Sequence, residues 1–382
     1  MCQQVQNKQR IEYLDALRGF TMLLVVYHHI HYFSYGPLLQ EEGSITFNDV
    51  IKVFFMPLFF FISGFSSYKH IGYYRVNDLM CFLKDKSRVL LLPTIFFFLL
   101  YVFLFNYPLT IAAYDKMKVG YWFTITLFEY FVFSAGTCFI LGHLSISMSQ
   151  KDFLFLFLCV LISALSGLQM LGINSGLIGL LSIGQWCYYV FFVAGILGRK
   201  HLDKFQLLLD NSILMSILIV LFFSAIYFYY QGREMHRMQY FLSYLILGGT
   251  GVFVMFAFFR KYADMFSDKL FLGRSLQLIG RRTLEIYLLH YFFLPKNLAY
   301  IGNYFAHNES PVLEFFISLF IACCIVSVCL VLGSVIGVSD KLGYYLLGKS
   351  QAKGSDGRIS VTVKSEVSKF CTNQNGSEIE SK

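Results

Sequence analysis

Arg18 and His29 stand eleven residues apart in one apolar stretch, residues 10–35. In a helix that spacing is three turns plus about 20°, so both side chains share a face and lie roughly 16 Å apart along the axis. An imidazole titrating near neutrality can take a proton from a hydroxyl, and a guanidinium suits a phosphate through bidentate contacts. His28 and His31, in the same stretch, point away from that face by about 100° or more and read as packing or interfacial histidines. Further along come Glu129, in Phe-Thr-Ile-Thr-Leu-Phe-Glu-Tyr-Phe with no local basic partner, and His290, in Ile-Tyr-Leu-Leu-His. A carboxylate beside an imidazole could orient the ring and stabilise its protonated form. Arg88, Arg281 and Arg282 complete the set. Such residues describe a phosphate-bearing donor entering at one level and a group moved to a hydroxyl at another.

The elements that must hold these residues are membrane helices. With 57% hydrophobic and only 14% charged residues the chain lies outside the range of soluble domains, and no alternating barrel pattern is visible. We therefore expect an all-α polytopic bundle of ten transmembrane segments, at 10–35, 50–68, 89–106, 121–144, 153–172, 176–198, 212–231, 239–259, 282–295 and 311–336. Pro57 predicts a kink or locally opened helix in the second, and the third also has an early proline, Pro93. Even-numbered loops hold most of the lysines and arginines, including Lys69, Arg75, Lys84, Lys86 and Arg88 together. This places both termini in the cytoplasm. Residues 1–347 read as the membrane-embedded domain and 348–382 as a polar, disordered cytoplasmic tail. The first segment follows ten polar residues and has no small-residue cleavage site, so it reads as a span that stays.

That topology sorts the polar residues by depth. Arg18, Arg88 and Arg282 fall near the cytoplasmic surface, whereas His29, Glu129 and His290 fall in the outer half. Alternatives stand beside these assignments. Arg88, Arg281 and Arg282 could be headgroup anchors, and Arg18 could be held by Asp15 one turn earlier as a structural pair. Glu285 is expected to pair locally with Arg282. The net charge of +8 is scattered through short loops, which argues against nucleic acid. The nine cysteines show no metal-ligand spacing and read as small buried hydrophobes. Metalloprotease, serine-hydrolase, Walker and Rossmann signatures are absent.

Leu14-Asp-Ala-Leu-Arg-Gly-Phe-Thr-Met-Leu-Leu-Val-Val-Tyr-His-His resembles the opening signature of the acyltransferase-3 family of membrane O-acyltransferases, with its Arg, ten residues and His at Arg18 and His29. Met-Pro-Leu-Phe-Phe-Phe-Ile-Ser-Gly from Met56, Arg88-Val-Leu-Leu-Leu-Pro, Tyr121-Trp-Phe and Gly-Arg-Arg-Thr-Leu-Glu-Ile-Tyr-Leu-Leu-His from Gly280 are similar to its later landmarks, in order. Phe55 departs from the pattern, since many relatives place a His before Met-Pro.

The resemblance implies transfer of an acyl group, usually acetyl from acetyl-CoA, to a sugar hydroxyl in a surface polysaccharide or lipid-linked precursor. It implies a multi-pass protein of the bacterial cytoplasmic membrane whose partners are acyl-CoA, a glycan acceptor and lipid, with no bound cofactor or metal. Arg18 would engage the CoA phosphates or stabilise the site, and Arg88, Arg282 and Asp15 are read beside it as the donor-binding set. His29 would be base or acyl relay, with Glu129 and His290 at the same centre. A proton-coupled transporter or glycan exporter, suggested by the intramembrane His and Glu, and a silent assembly scaffold are the competing readings.

Overall fold

The computed structural model describes residues 11–36, 46–68, 76–115, 117–169, 183–231, 237–308 and 310–349, and every regular element among them is helical. Helix α1, Glu12–Phe33, occupies the middle of the bundle. Glu12 and Asp15 in its first turn suit the positive end of the helix dipole. Its buried residues (Leu17, Met22, Val26 and Ile30 among them) point in several directions, so it is enclosed by neighbours instead of presenting one apolar stripe.

The principal neighbour is α13, Phe271–Arg281, which continues after a break at Arg282 into α14, Thr283–Leu289. The two lines touch at glycines. A Cβ on Gly19 would lie 1.9 Å from the Leu276 carbonyl oxygen, and one on Gly280 would lie 1.8 Å from that of Asp15. Only glycines allow such contact of backbones, the device by which apolar helices associate where burial from water is not available as a driving force. From Gly19 to His29 and from Gly280 to His290 is ten residues each, so two helices running side by side carry both histidines to one level.

The second segment is broken as Pro57 predicts. Helix α2, Phe47–Lys52, gives way to α3, Phe55–Ser67, across Val53 and Phe54. Val53 is the residue whose carbonyl the Pro57 ring would strike in an unbroken helix. A second glycine pair, Gly64 and Gly195, brings α3 against α9, Tyr189–Lys200. In the third segment Pro93 follows a π-turn, Ser87–Leu91, that joins α4, Val76–Lys86, to α5, Leu92–Leu104. The chain between Val76 and Arg88, expected as loop, is thus helical and continuous with the span.

Helices α6, Leu109–Tyr114, and α7, Trp122–Gly142, follow, then α8, Met148–Gln169. After α9 come α10, Leu202–Asp210, α11, Ser212–Gln231, and α12, Arg237–Lys261. Past α14 lie α15, Ala299–Asn308, α16, Pro311–Ile336, and a short closing α17, Asp340–Leu346.

Among the described residues five helical stretches are long and apolar enough to cross a membrane: Phe47–Ser67, Val76–Leu104, Trp122–Gly142, Leu242–Lys261 and Pro311–Ile336. A sixth appears if Leu202–Asp210 and Ser212–Tyr227, bent by 73°, count as one. The count of ten is therefore not reached on this measure. The first segment carries Asp15, Arg18 and its histidines, the ninth is α-helical only over the 7 residues Thr283–Leu289, and the fifth and sixth run into residues outside the described set. The chain is a multi-pass helical membrane protein.

Candidate functional site

The enclosed ends of α1 and α14 bring His29 and His290 ring to ring. His29 Nδ1 lies 2.8 Å from His290 Nε2, with the rings 5° from parallel and their centroids 5.0 Å apart. His290 is fully buried, whereas His29 keeps partial exposure.

Their hydrogen bonds fix the tautomers. His290 Nδ1 sits 3.0 Å from the Ile286 carbonyl oxygen, which can only accept, so Nδ1 carries a proton. In neutral His290, Nε2 then accepts, and the proton it receives comes from His29 Nδ1. The other nitrogen of His29, Nε2, is left with its lone pair. The Tyr291 hydroxyl is 3.4 Å from it, but donates at 2.9 Å to the Gly120 carbonyl. His29 Nε2 is therefore a base nitrogen whose tautomer is set by a second imidazole.

The wall opposite is a turn at Lys118–Gly120, where three successive residues have positive φ: 48°, 52° and 102°. For β-branched Val119 that is a true outlier, of the kind that survives only where surroundings impose it. Here they do. The Gly120 carbonyl accepts from Tyr287 at 2.7 Å as well as from Tyr291, Tyr287 Oη accepts from the Phe123 amide at 3.1 Å, and Tyr121 donates to the Leu288 carbonyl at 3.0 Å. A Cβ on Gly120 would lie 2.2 Å from the Tyr291 ring. Lys118 is folded into the turn, its Nζ donating to the Ala113 carbonyl at 2.8 Å. Burial pushes its ammonium below the ordinary lysine value, opposed by Asp115 and Glu129.

Glu129 is placed two turns along α7, where its Oε2 accepts from Trp186 Nε1 at 2.9 Å. The carboxylate that meets a histidine of α1 is a different one, Glu314 in the first turn of α16. Glu314 Oε1 pairs with His31 Nε2 and accepts from Tyr27 and Ser318, both at 2.9 Å. Glu314 is 1% exposed and His31 3%. His31, read from the sequence as packing, is thus hydrogen-bonded to a buried carboxylate. His28 bonds Asn48 at 2.9 Å, and Phe55 packs on the His28 ring at 5.0 Å. The three histidines tie α1 to three different neighbours.

The arginines gather at the other end. Arg18 pairs with Asp15 at 3.5 Å and donates to the Ser66 hydroxyl. Arg282 donates through Nε to Glu285 at 2.8 Å and through Nη1 to Ser334 at 2.7 Å, the local pair expected. Arg281 turns back to the Gln277 carbonyl. Arg88 donates to the Lys349 carbonyl at 3.2 Å and lies 4.2 Å over the Tyr344 ring. Sequence reasoning missed Glu314, Tyr291, Gly120 and Lys349. Of these only Glu314, a carboxylate inside an apolar run, left a signal that could have been read. No group of three or more metal-ligating side chains forms among the described residues.

The model of the acyltransferase-3 domain matches residues 11–332, and the chain belongs to that family. The matched region contains both the histidine dyad and the arginines Arg18, Arg88 and Arg282. It is a membrane acyltransferase. No curated protein sequence and no solved structure matches the chain.

Proposed function

We propose that the chain is an O-acetyltransferase of the bacterial cytoplasmic membrane. It would move acetyl from acetyl-CoA, presented on the cytoplasmic side, to a sugar hydroxyl of a surface polysaccharide or its lipid-linked precursor. The observation that carries this is the His29–His290 dyad, with His29 Nε2 free to act as base.

His29 Nε2 takes the proton of the acceptor hydroxyl as its oxygen attacks the thioester carbonyl. The C–S bond breaks and the departing CoA thiolate recovers that proton from His29. His290 Nε2, accepting from His29 Nδ1–H throughout, stabilises the imidazolium between those steps. The donor's phosphates would rest on Arg18, Arg88 and Arg282. Arg18 and His29 are separated by about 16 Å along α1, comparable to an extended pantetheine arm, so one donor molecule can address both. Glu129, bonded to Trp186, would shape the site from α7.

Purified protein in nanodiscs should move radiolabelled acetyl from acetyl-CoA to a glycan acceptor, and cells lacking the gene should lose an O-acetyl resonance from the NMR spectrum of their surface glycan. Undiminished transfer by His29→Ala would sink the mechanism.

A further inference from the structure

The arginine end is built partly by residues beyond the family match. After α17 the chain turns at Gly348, whose φ is +64°, and runs back against the π-turn in front of Pro93. A Cβ at Gly348 would lie 2.9 Å from the Val89 carbonyl oxygen. That carbonyl is the one Pro93, lacking an N–H, cannot bond. The next residue, Lys349, accepts from Arg88 through its backbone oxygen at 3.2 Å. Its own Nζ reaches Glu285 Oε1 at 3.3 Å, on the carboxylate that Arg282 already holds. Tyr344, on α17, stacks under the Arg88 guanidinium.

Arg282 and Lys349 thus share the Glu285 carboxylate, and Arg88 joins them through the Lys349 backbone oxygen, three cations against one anion and a net charge of +2 for this cluster. Without Lys349 it would be +1. One Arg88 N–H is spent on Lys349 and the ring fixes the guanidinium plane, so the planar fork is oriented before any ligand arrives. Such pre-orientation lowers the ordering cost of binding a phosphate.

We propose that the segment from Tyr344 to Lys349 completes a phosphate-binding site, with Lys349 adding a cation and Tyr344 acting as the positioning residue for Arg88. This rests on the donor reading above and deepens it, because it assigns part of CoA recognition to residues beyond 332. The phosphate is the donor's. An anionic lipid headgroup has the same chemistry, and the test separates the two.

The full chain and its Lys349→Met variant, which keeps the backbone oxygen that Arg88 holds and removes only the cation, are reconstituted in nanodiscs of zwitterionic phosphatidylcholine. Binding of labelled acetyl-CoA is measured directly, so no acceptor is needed. Lys349→Met should bind about tenfold more weakly, the loss expected for one charge-assisted contact, and Lys349→Arg should bind like the full chain. Tyr344→Leu should also weaken binding, and Tyr344→Phe, which keeps the ring, should restore it. If Lys349→Met does not fold, judged by its melting transition in the disc, the Tyr344 pair alone decides. Equal binding by Lys349→Met and the full chain, or by Tyr344→Leu and the full chain, overturns the proposal. Unchanged acetyl-CoA binding together with lost retention of added phosphatidylglycerol assigns the site to lipid and overturns it too. Failure of the full chain itself to bind acetyl-CoA would instead strike the donor reading, separately from any difference among the variants.

Discussion

His29 Nδ1 donates to His290 Nε2 across 2.8 Å, and His290 Nδ1 donates to the Ile286 carbonyl across 3.0 Å, so one backbone oxygen sets the tautomer of the base two steps away. His29→Ala should abolish acetyl transfer, a loss of about 10²–10⁴-fold for a general base. His290→Phe should cost a large part of the same factor while keeping bulk. Residues acting as a unit are non-additive, so the double variant should be little worse than His29→Ala. Rate constants in the double-mutant cycle check this. Multiplying losses would mean that the two histidines act independently.

The base must be neutral to work, which gives the pH dependence a sign. Activity should be full at alkaline pH and fall as the pH drops and the dyad binds a proton, with an apparent pKa belonging to the pair and not to either ring. Replacing His290 by Gln, which can still accept from Nδ1–H but cannot itself titrate, should move the acid limb of kcat/KM along the pH axis. A profile that overlays that of the unaltered protein would remove His290 from the titrating unit.

The legible part of this site was the part set by one helix. Arg18 and His29 share a face because 3.6 residues per turn says so, and α1 is unbroken from Glu12 to Phe33. The Arg282–Glu285 and Arg18–Asp15 pairs are local for the same reason. What could not be read was which helices meet. His290 reaches His29 only because the backbones touch at Gly19 and Gly280, a contact between residues 261 apart in the chain. By sequence Glu129 is the candidate carboxylate, and Glu314 lies unremarked in the last apolar run. Packing gave the first to Trp186 and the second to His31. The span count suffered in the same way, since the apolar run from 282 to 295 does not reveal that its α-helix ends at Leu289.

The glycine contact sets a second expectation. Gly280→Ala places a methyl where the Asp15 carbonyl stands, at 1.8 Å, and backbone cannot rotate aside as a side chain can. Overpacking of this kind costs about 1–3 kcal/mol, and here it forces apart the two helices that carry the dyad. Gly136→Ala is the control, because nothing lies within 4 Å of a Cβ there. Gly280→Ala should lower both thermal stability in detergent and transfer rate, while Gly136→Ala leaves both near those of the parent. Equal melting temperatures for the two variants would contradict the close crossing.

The buried hydrogen bond between His31 and Glu314 leads to the last expectation, and it concerns folding more than chemistry. Glu314 Oε1 takes every hydrogen bond the carboxylate makes to His31, Tyr27 and Ser318, leaving Oε2 buried without a partner. Removing one partner of such a buried hydrogen bond leaves the others unsatisfied, at about 1–3 kcal/mol each, whereas replacing both by apolar groups of similar shape can be nearly neutral. Glu314→Leu alone should therefore destabilise the protein strongly. Adding His31→Leu should recover much of that loss, although Tyr27 and Ser318 still lack their acceptor. Chemical denaturation in mixed micelles gives the comparison directly. A double variant less stable than Glu314→Leu alone would show that His31 supports the fold through something other than this carboxylate.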